Sequence, residues 1–201
     1  MFTKKYIFIF LILLIFITPF TFARSFKITD YTINYKIQES GKIDVSEYLT
    51  YEFFGCYSQI YIQRPNIQIA EYTGGCSGAD CTFEYKPYGT ESGDPELILH
   101  GNFCDTTVHA HFTYILLNQI RELEDAAQFY YKVYPGKTAV PTDLNINISF
   151  PGDVNQVTKF IHSKGYLSQT LSRELRLYKK VGIQEIIEVN LLMPKDWFDK
   201  N

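Results

Sequence analysis

The residues able to do chemistry are few, and most are placed ambiguously. Glu47 lies in the stretch Gly41 to Phe53, GKIDVSEYLTYEF, on the face that also carries Ile43, Val45, Leu49, Tyr51 and Phe53. A carboxyl set into an apolar pattern must be paired, hydrogen-bonded or protonated. Arg64 and Arg121 are its leading expected partners, which makes Glu47 a structural buried carboxylate; a functional carboxyl is the alternative. His109 and His111 fall two apart, hence on one side of a strand, where two imidazoles can ligate a metal or carry protons. The plainer reading is two polar residues on a sheet's outer face. Asp125 follows a short run of helix formers and either ends a helical turn or supplies a second carboxyl. A hydrolytic or metal-binding centre would need Glu47, Asp125 and a histidine to converge in one cleft. The sequence holds no Gly-x-Ser-x-Gly, no phosphate-binding loop, no His-Glu-x-x-His and no Gly-x-Gly-x-x-Gly. Neither a catalytic residue nor a cofactor is therefore assigned.

The elements that must position these residues are strands. Period-two alternation over Gly41 to Phe53 predicts a long, half-buried antiparallel strand. A second alternating strand, Phe26 to Gln38, precedes it, with Glu39-Ser40-Gly41 as the turn. In Thr107 to Leu117, Val108, Ala110, Phe112 and Tyr114 take one face while His109, His111, Thr113 and Ile115 take the other. Thr142 to Phe150 alternates cleanly and stops at Pro151-Gly152. Gln119 to Ala127 is the one cluster of helix formers, short and uncapped, and allows at most one short helical turn. Roughly ten strands with turn signals at short spacing predict an all-β fold. It is expected to be an antiparallel β-sandwich, immunoglobulin-like in general architecture, over residues 24–201.

Residues 1–23 read as a signal peptide: Lys4 and Lys5, an apolar run from Tyr6, and Thr21-Phe22-Ala23 as the cleavage site. Its most apolar part is shorter than the ~20 residues of a membrane-spanning helix. Cleavage removes Lys4 and Lys5 and takes the formal charge from −3 to −5, which disfavours nucleic acid and anionic membrane surfaces as partners. Membrane attachment would require the segment to be kept as an anchor. The four cysteines all lie beyond it, and an even count in an exported chain favours disulfides. The expected pairs are Cys76–Cys81, pinching the Gly-rich GGCSGADC loop, and Cys56–Cys104. A zinc site of Cys76, Cys81, His109 and His111 is the rival.

Several stretches form a familiar pattern: Ile28-Thr29-Asp30-Tyr31, Gly41 to Glu47 with its Val-x-Glu, and Tyr51-Glu52-Phe53-Phe54-Gly55 with Tyr57. Tyr61 to Pro65, Asp125 to Tyr131, Ile148 to Gly152 and Leu191 to Pro194 complete it. Through these residues the chain resembles the N-terminal extracytoplasmic domain of a family of predicted prokaryotic membrane proteins, domain of unknown function 2207. Ile62 stands where the family usually has Arg, Gln128 replaces an acid and Tyr131 replaces Trp. The resemblance implies a β-rich extracytoplasmic domain and brings no activity with it. The expected function is a non-enzymatic, secreted or cell-surface module that binds or scaffolds an envelope protein or polymer. The alternative is an extracytoplasmic hydrolase or metal-binding protein using Glu47, Asp125 and His109/His111.

Overall fold

A computed structural model describes residues 24–63, 67–87, 94–133, 142–182, 185 and 187–198. Residues 1–23, expected as a signal peptide, and Arg64, an expected partner of Glu47, lie outside the described residues. The strands are β1 (Ser25–Ile37), β2 (Ile43–Phe54), β3 (Cys56–Gln63), β4 (Gln68–Ser77), β5 (Cys81–Lys86), β6 (Glu96–Cys104) and β7 (Thr107–Leu117). They continue as β8 (Ile120–Glu122), β9 (Ala126–Val133), β10 (Thr142–Ser149), β11 (Thr158–His162), β12 (Leu167–Leu171), β13 (Glu174–Val181) and β14 (Ile187–Pro194). The fold is all-β. A seven-stranded sheet runs β12-β13-β10-β1-β2-β7-β4, a four-stranded sheet β11-β14-β9-β8 and a three-stranded sheet β3-β6-β5. All pairings are antiparallel except β1 with β10. The two smaller sheets cover one face of the large one: Tyr35 of β1 meets Phe129 and Tyr131 of β9, and Phe53 of β2 stacks on Phe103 of β6.

Period two decides which face is covered. On β2, Ile43, Val45, Glu47, Leu49, Tyr51 and Phe53 are all buried, as the alternation predicts. On β7, Val108, Ala110, Phe112 and Tyr114 point inward, leaving His109 and His111 outside. On β1 the alternation slips once, at a bulge between Ile28 and Asp30. That extra residue places Ile28 on the same inner face as Tyr31, Ile33 and Tyr35, which strict alternation would deny it.

The large and three-stranded sheets are one bent ribbon. β2 runs through Gly55 into β3, and its partner β7 is reached from β6 through Asp105. The bend needs left-handed backbone at both positions, φ 83° at Gly55 and 44° at Asp105. The Asp105 carboxyl accepts the Gly55 N–H at 2.6 Å. The disulfide Cys56–Cys104 crosses the ribbon immediately beyond the bend, and Cys76–Cys81 joins β4 to β5 at a second crossing beside it. Cys56–Cys104 thus fixes the bend by joining two paired strands of the three-stranded sheet, while Cys76–Cys81 ties that sheet to β4 of the large one.

Within the expected all-β fold, two details are sharpened. Gln119 to Ala127 forms no helical turn; it is the β8–β9 hairpin, because Ala127, Phe129 and Tyr131 bury at period two against the core and β9 pairs with β14 along its whole length. Tertiary pairing outweighs the weak local helix preference of that run. The helical residues described are instead two single 3₁₀ turns, Val154–Gln156 and Lys195–Trp197. The stretch 166–181 is likewise a hairpin, β12–β13, and the described residues hold fourteen strands where about ten were expected.

Candidate functional site

Glu47 is fully buried, and among the described residues two tyrosines meet its carboxyl group. Its two carboxyl oxygens accept hydrogen bonds from the hydroxyls of Tyr31 and Tyr114. Register explains the choice. Directly opposite Glu47 stand Ile33 on β1 and Phe112 on β7, so Tyr31 and Tyr114 are its diagonal neighbours, two residues along on either side. Long aromatic side chains span that diagonal. A phenol also brings a donor on an apolar ring, which suits a carboxyl group held inside the core. Arg121, expected as a partner, is exposed on β8. Tyr35, beside the cluster, has its pKa pushed well above the ordinary phenol value, chiefly by burial and then by Tyr131, Tyr114, Glu47 and Tyr31. The carboxyl group therefore ties β1, β2 and β7 together and faces no open space.

The residues expected to converge do not. Glu47 and the histidines are on opposite faces of the same sheet, and Asp125 is exposed in the β8–β9 turn of the four-stranded sheet. The Cys76–Cys81 bridge uses both thiols of the rival zinc site, and no metal-ligating cluster of three or more occurs among the described residues.

What the fold does assemble is a recess on the open face of the large sheet. Its volume is about 340 Å³, and it is lined by Asp30 and Thr32 of β1, Tyr48 to Thr50 of β2, Ser77 of β4 and His109 to His111 of β7. Strand pairing sets these side chains in two cross-strand rows. One row runs Asn145, Thr32, Tyr48, His111, Gly75; the next runs Asp143, Asp30, Thr50, His109, Ser77. His109 Nδ1 lies 3.1 Å from the Thr50 hydroxyl, which fixes the ring. Tyr48 is 50% exposed at the centre of the first row. Gly75 gives the recess room: a Cβ there would lie 2.8 Å from His111 Cε1, so only a glycine lets the imidazole lie over β4. Thr32, Tyr48 and Thr50 are legible as outward positions, but their alignment with β7 depends on a register that the sequence does not reveal.

These features define an all-β sandwich domain with a disulfide-pinned seam and one open polar face. The chain belongs to the family described as "Predicted membrane protein (DUF2207) N-terminal domain", which matches residues 27–189. Among the described residues no helix is long and apolar enough to cross a membrane. No curated protein matches the sequence. Among solved structures, native leukotriene A4 hydrolase from Saccharomyces cerevisiae is similar with a TM-score of 0.54 at 10% identity, covering 83% of this chain and 29% of that one. An M1 zinc metallopeptidase from Deinococcus radiodurans is similar with a TM-score of 0.50 at 9% identity, covering 84% of this chain and 42% of that one. Such identities establish a shared fold alone, and this chain spans less than half the length of either enzyme.

Proposed function

We propose that this chain is a non-enzymatic extracytoplasmic module that holds a cell-envelope ligand against the open face of its seven-stranded sheet. The observation that carries this reading is the separation of the two faces. The inward carboxyl of Glu47 is engaged by Tyr31 and Tyr114. The outward recess gathers an exposed aromatic, two imidazoles and several hydroxyls on rigid strands. A surface of convergent polar groups around one aromatic suits recognition. The apolar N-terminal run, two disulfides and membership of a predicted membrane protein family support placement outside the cytoplasm, with residues 1–23 as the export signal.

The test is co-sedimentation of the oxidised, purified chain with envelopes of the producing cell. Thr32→Lys combined with Thr50→Lys fills the recess with two long cations and is expected to abolish binding at an unchanged melting temperature. Tyr130→Lys, on the outer face of the four-stranded sheet, is expected to leave it intact. The reverse pattern refutes the assignment of the face.

A further inference from the structure

We propose that the ligand of this face is a neutral glycan chain lying across the strands, with Tyr48 as its stacking platform. The proposal rests on the preceding reading of the open face as the binding surface, and it names what that surface recognises. A sugar ring offers an apolar C–H face and a girdle of hydroxyls, so it calls for an exposed aromatic ring flanked by short, fixed hydrogen-bonding groups. Tyr48 is that ring, half exposed, with Thr32 and His111 directly opposite it on the neighbouring strands. Thr50 and His109, already bonded to each other at 3.1 Å, stand in the adjoining row. On the other side, Asn34 and Asn147 are bonded across β1 and β10 at 2.8 Å. Short side chains held on strands lose little rotamer freedom when they bind.

The charge pattern selects among polymers. Ion pairs lie toward the margins of this face: Lys27 with Glu52, Arg176 with Glu174 at 2.9 Å, and Lys180 with Asp143 at 3.9 Å. The recess holds neither lysine nor arginine, and its one carboxyl is Asp30. Sites for phosphate or carboxylate polymers recruit arginine and lysine, so an anionic ligand is disfavoured. A protein ligand is disfavoured as well, because interface cores are enriched in clustered aromatic, Met and Arg side chains, whereas this recess offers a single tyrosine among hydroxyls, imidazoles and one carboxyl. Uncharged hydroxyl chemistry is what remains.

Extent argues for a chain rather than a single sugar. The recess volume of about 340 Å³ sits at the small end of ligand sites. The row through Tyr48 continues through Thr32 and Asn145 to Tyr178 on β13. Tyr178 is 42% exposed, and its hydroxyl donates to Asp143 at 3.1 Å. Three strand spacings separate the two rings, about 14 Å. A polymer crossing the strands can therefore meet both.

The deciding experiment treats envelopes of the producing cell with protease or with periodate before co-sedimentation with the intact chain. Binding is expected to survive protease and to disappear after periodate, which cleaves sugar diols. In parallel, affinity electrophoresis uses hydroxyethyl cellulose, mannan and xylan, neutral polymers that keep periodate-sensitive vicinal diols, with alginate as the anionic comparison. At least one neutral polymer should retard the chain and alginate should not. Tyr48→Ala should weaken that retardation about tenfold or more, and Thr32→Lys should abolish it without touching the aromatic ring. Tyr130→Ala should leave it unchanged. Envelope binding that is lost after protease, yet still depends on Thr32 and Thr50, overturns the glycan and leaves the face reading standing with a protein ligand. Equal retardation by alginate, no retardation by any neutral polymer, or full retardation of the Tyr48→Ala variant also overturns it. Envelope binding indifferent to Thr32 and Thr50 overturns the face reading itself.

Discussion

Replacing Glu47 by alanine probes the core where the architecture is most exposed to a single change. The substitution takes a shared acceptor from two tyrosine hydroxyls inside the sandwich and empties the space of a carboxyl group. Each buried hydroxyl deprived of this bond costs about 1–3 kcal/mol, which gives roughly 2–6 kcal/mol for the pair. That is comparable with the whole stability of many domains, about 5–15 kcal/mol. Glu47→Gln preserves the shape and one acceptor oxygen, and a phenol can rotate to accept from the new amide, so the expected cost is about 1–2 kcal/mol. Removing all three polar ends together, as Tyr31→Phe, Glu47→Leu and Tyr114→Phe, leaves no hydroxyl behind and should cost less than Glu47→Ala alone. Urea unfolding of wild type, Glu47→Ala, Glu47→Gln, the triple variant and its three single variants, each with both disulfides oxidised, measures this directly. A triple variant whose loss equals the sum of its single variants would refute the reasoning, since independent sites add while one hydrogen-bonded cluster does not.

Tyr35 carries a pKa raised in the fold by burial; the unfolded chain therefore releases that proton first, and stability present below about pH 10 should fall as pH rises above it. Tyr35→Phe should flatten this alkaline slope in melts followed from neutral pH upward. Opening Cys56–Cys104, which spans 48 residues, should cost more than opening Cys76–Cys81, which spans 5, about 4 against about 2 kcal/mol on loop entropy; paired Cys→Ser variants and thermal melts decide it. Gly75→Ala drives the exposed His111 ring out of place, so envelope binding should drop while the melting temperature holds or rises slightly, as a strand glycine replaced by alanine gains up to about 1 kcal/mol.

Much of the frame was legible because burial here obeys period two. The inward set of β2 and the outward direction of His109 and His111 follow from alternation alone. Glu47 could be singled out for the same reason, but its partners could not. Whether an arginine or a pair of phenols reaches it depends on diagonals across three strands, and those require the registers of β1 and β7. The bulge after Ile28 left a trace, since Ile28 and Tyr31 are three apart and both apolar. The β8–β9 hairpin left none, because Gln-Ile-Arg-Glu-Leu-Glu favours helix locally and only pairing with β14 decides otherwise. The parallel pairing of β1 with β10 joins segments more than a hundred residues apart, beyond the reach of local pattern. The recess inherits this limit, being made from four strands whose alignment is a tertiary outcome.

The most direct measurement of the central claim uses the chain's own histidines. His109 and His111 line the recess, whereas His162 is exposed on β11 of the four-stranded sheet. Diethyl pyrocarbonate acylates accessible imidazoles, and mass spectrometry reads each site separately. With envelopes of the producing cell present, His109 and His111 should be protected and His162 should react as in the free chain. Protection of His162 with His109 and His111 still reactive would contradict the account.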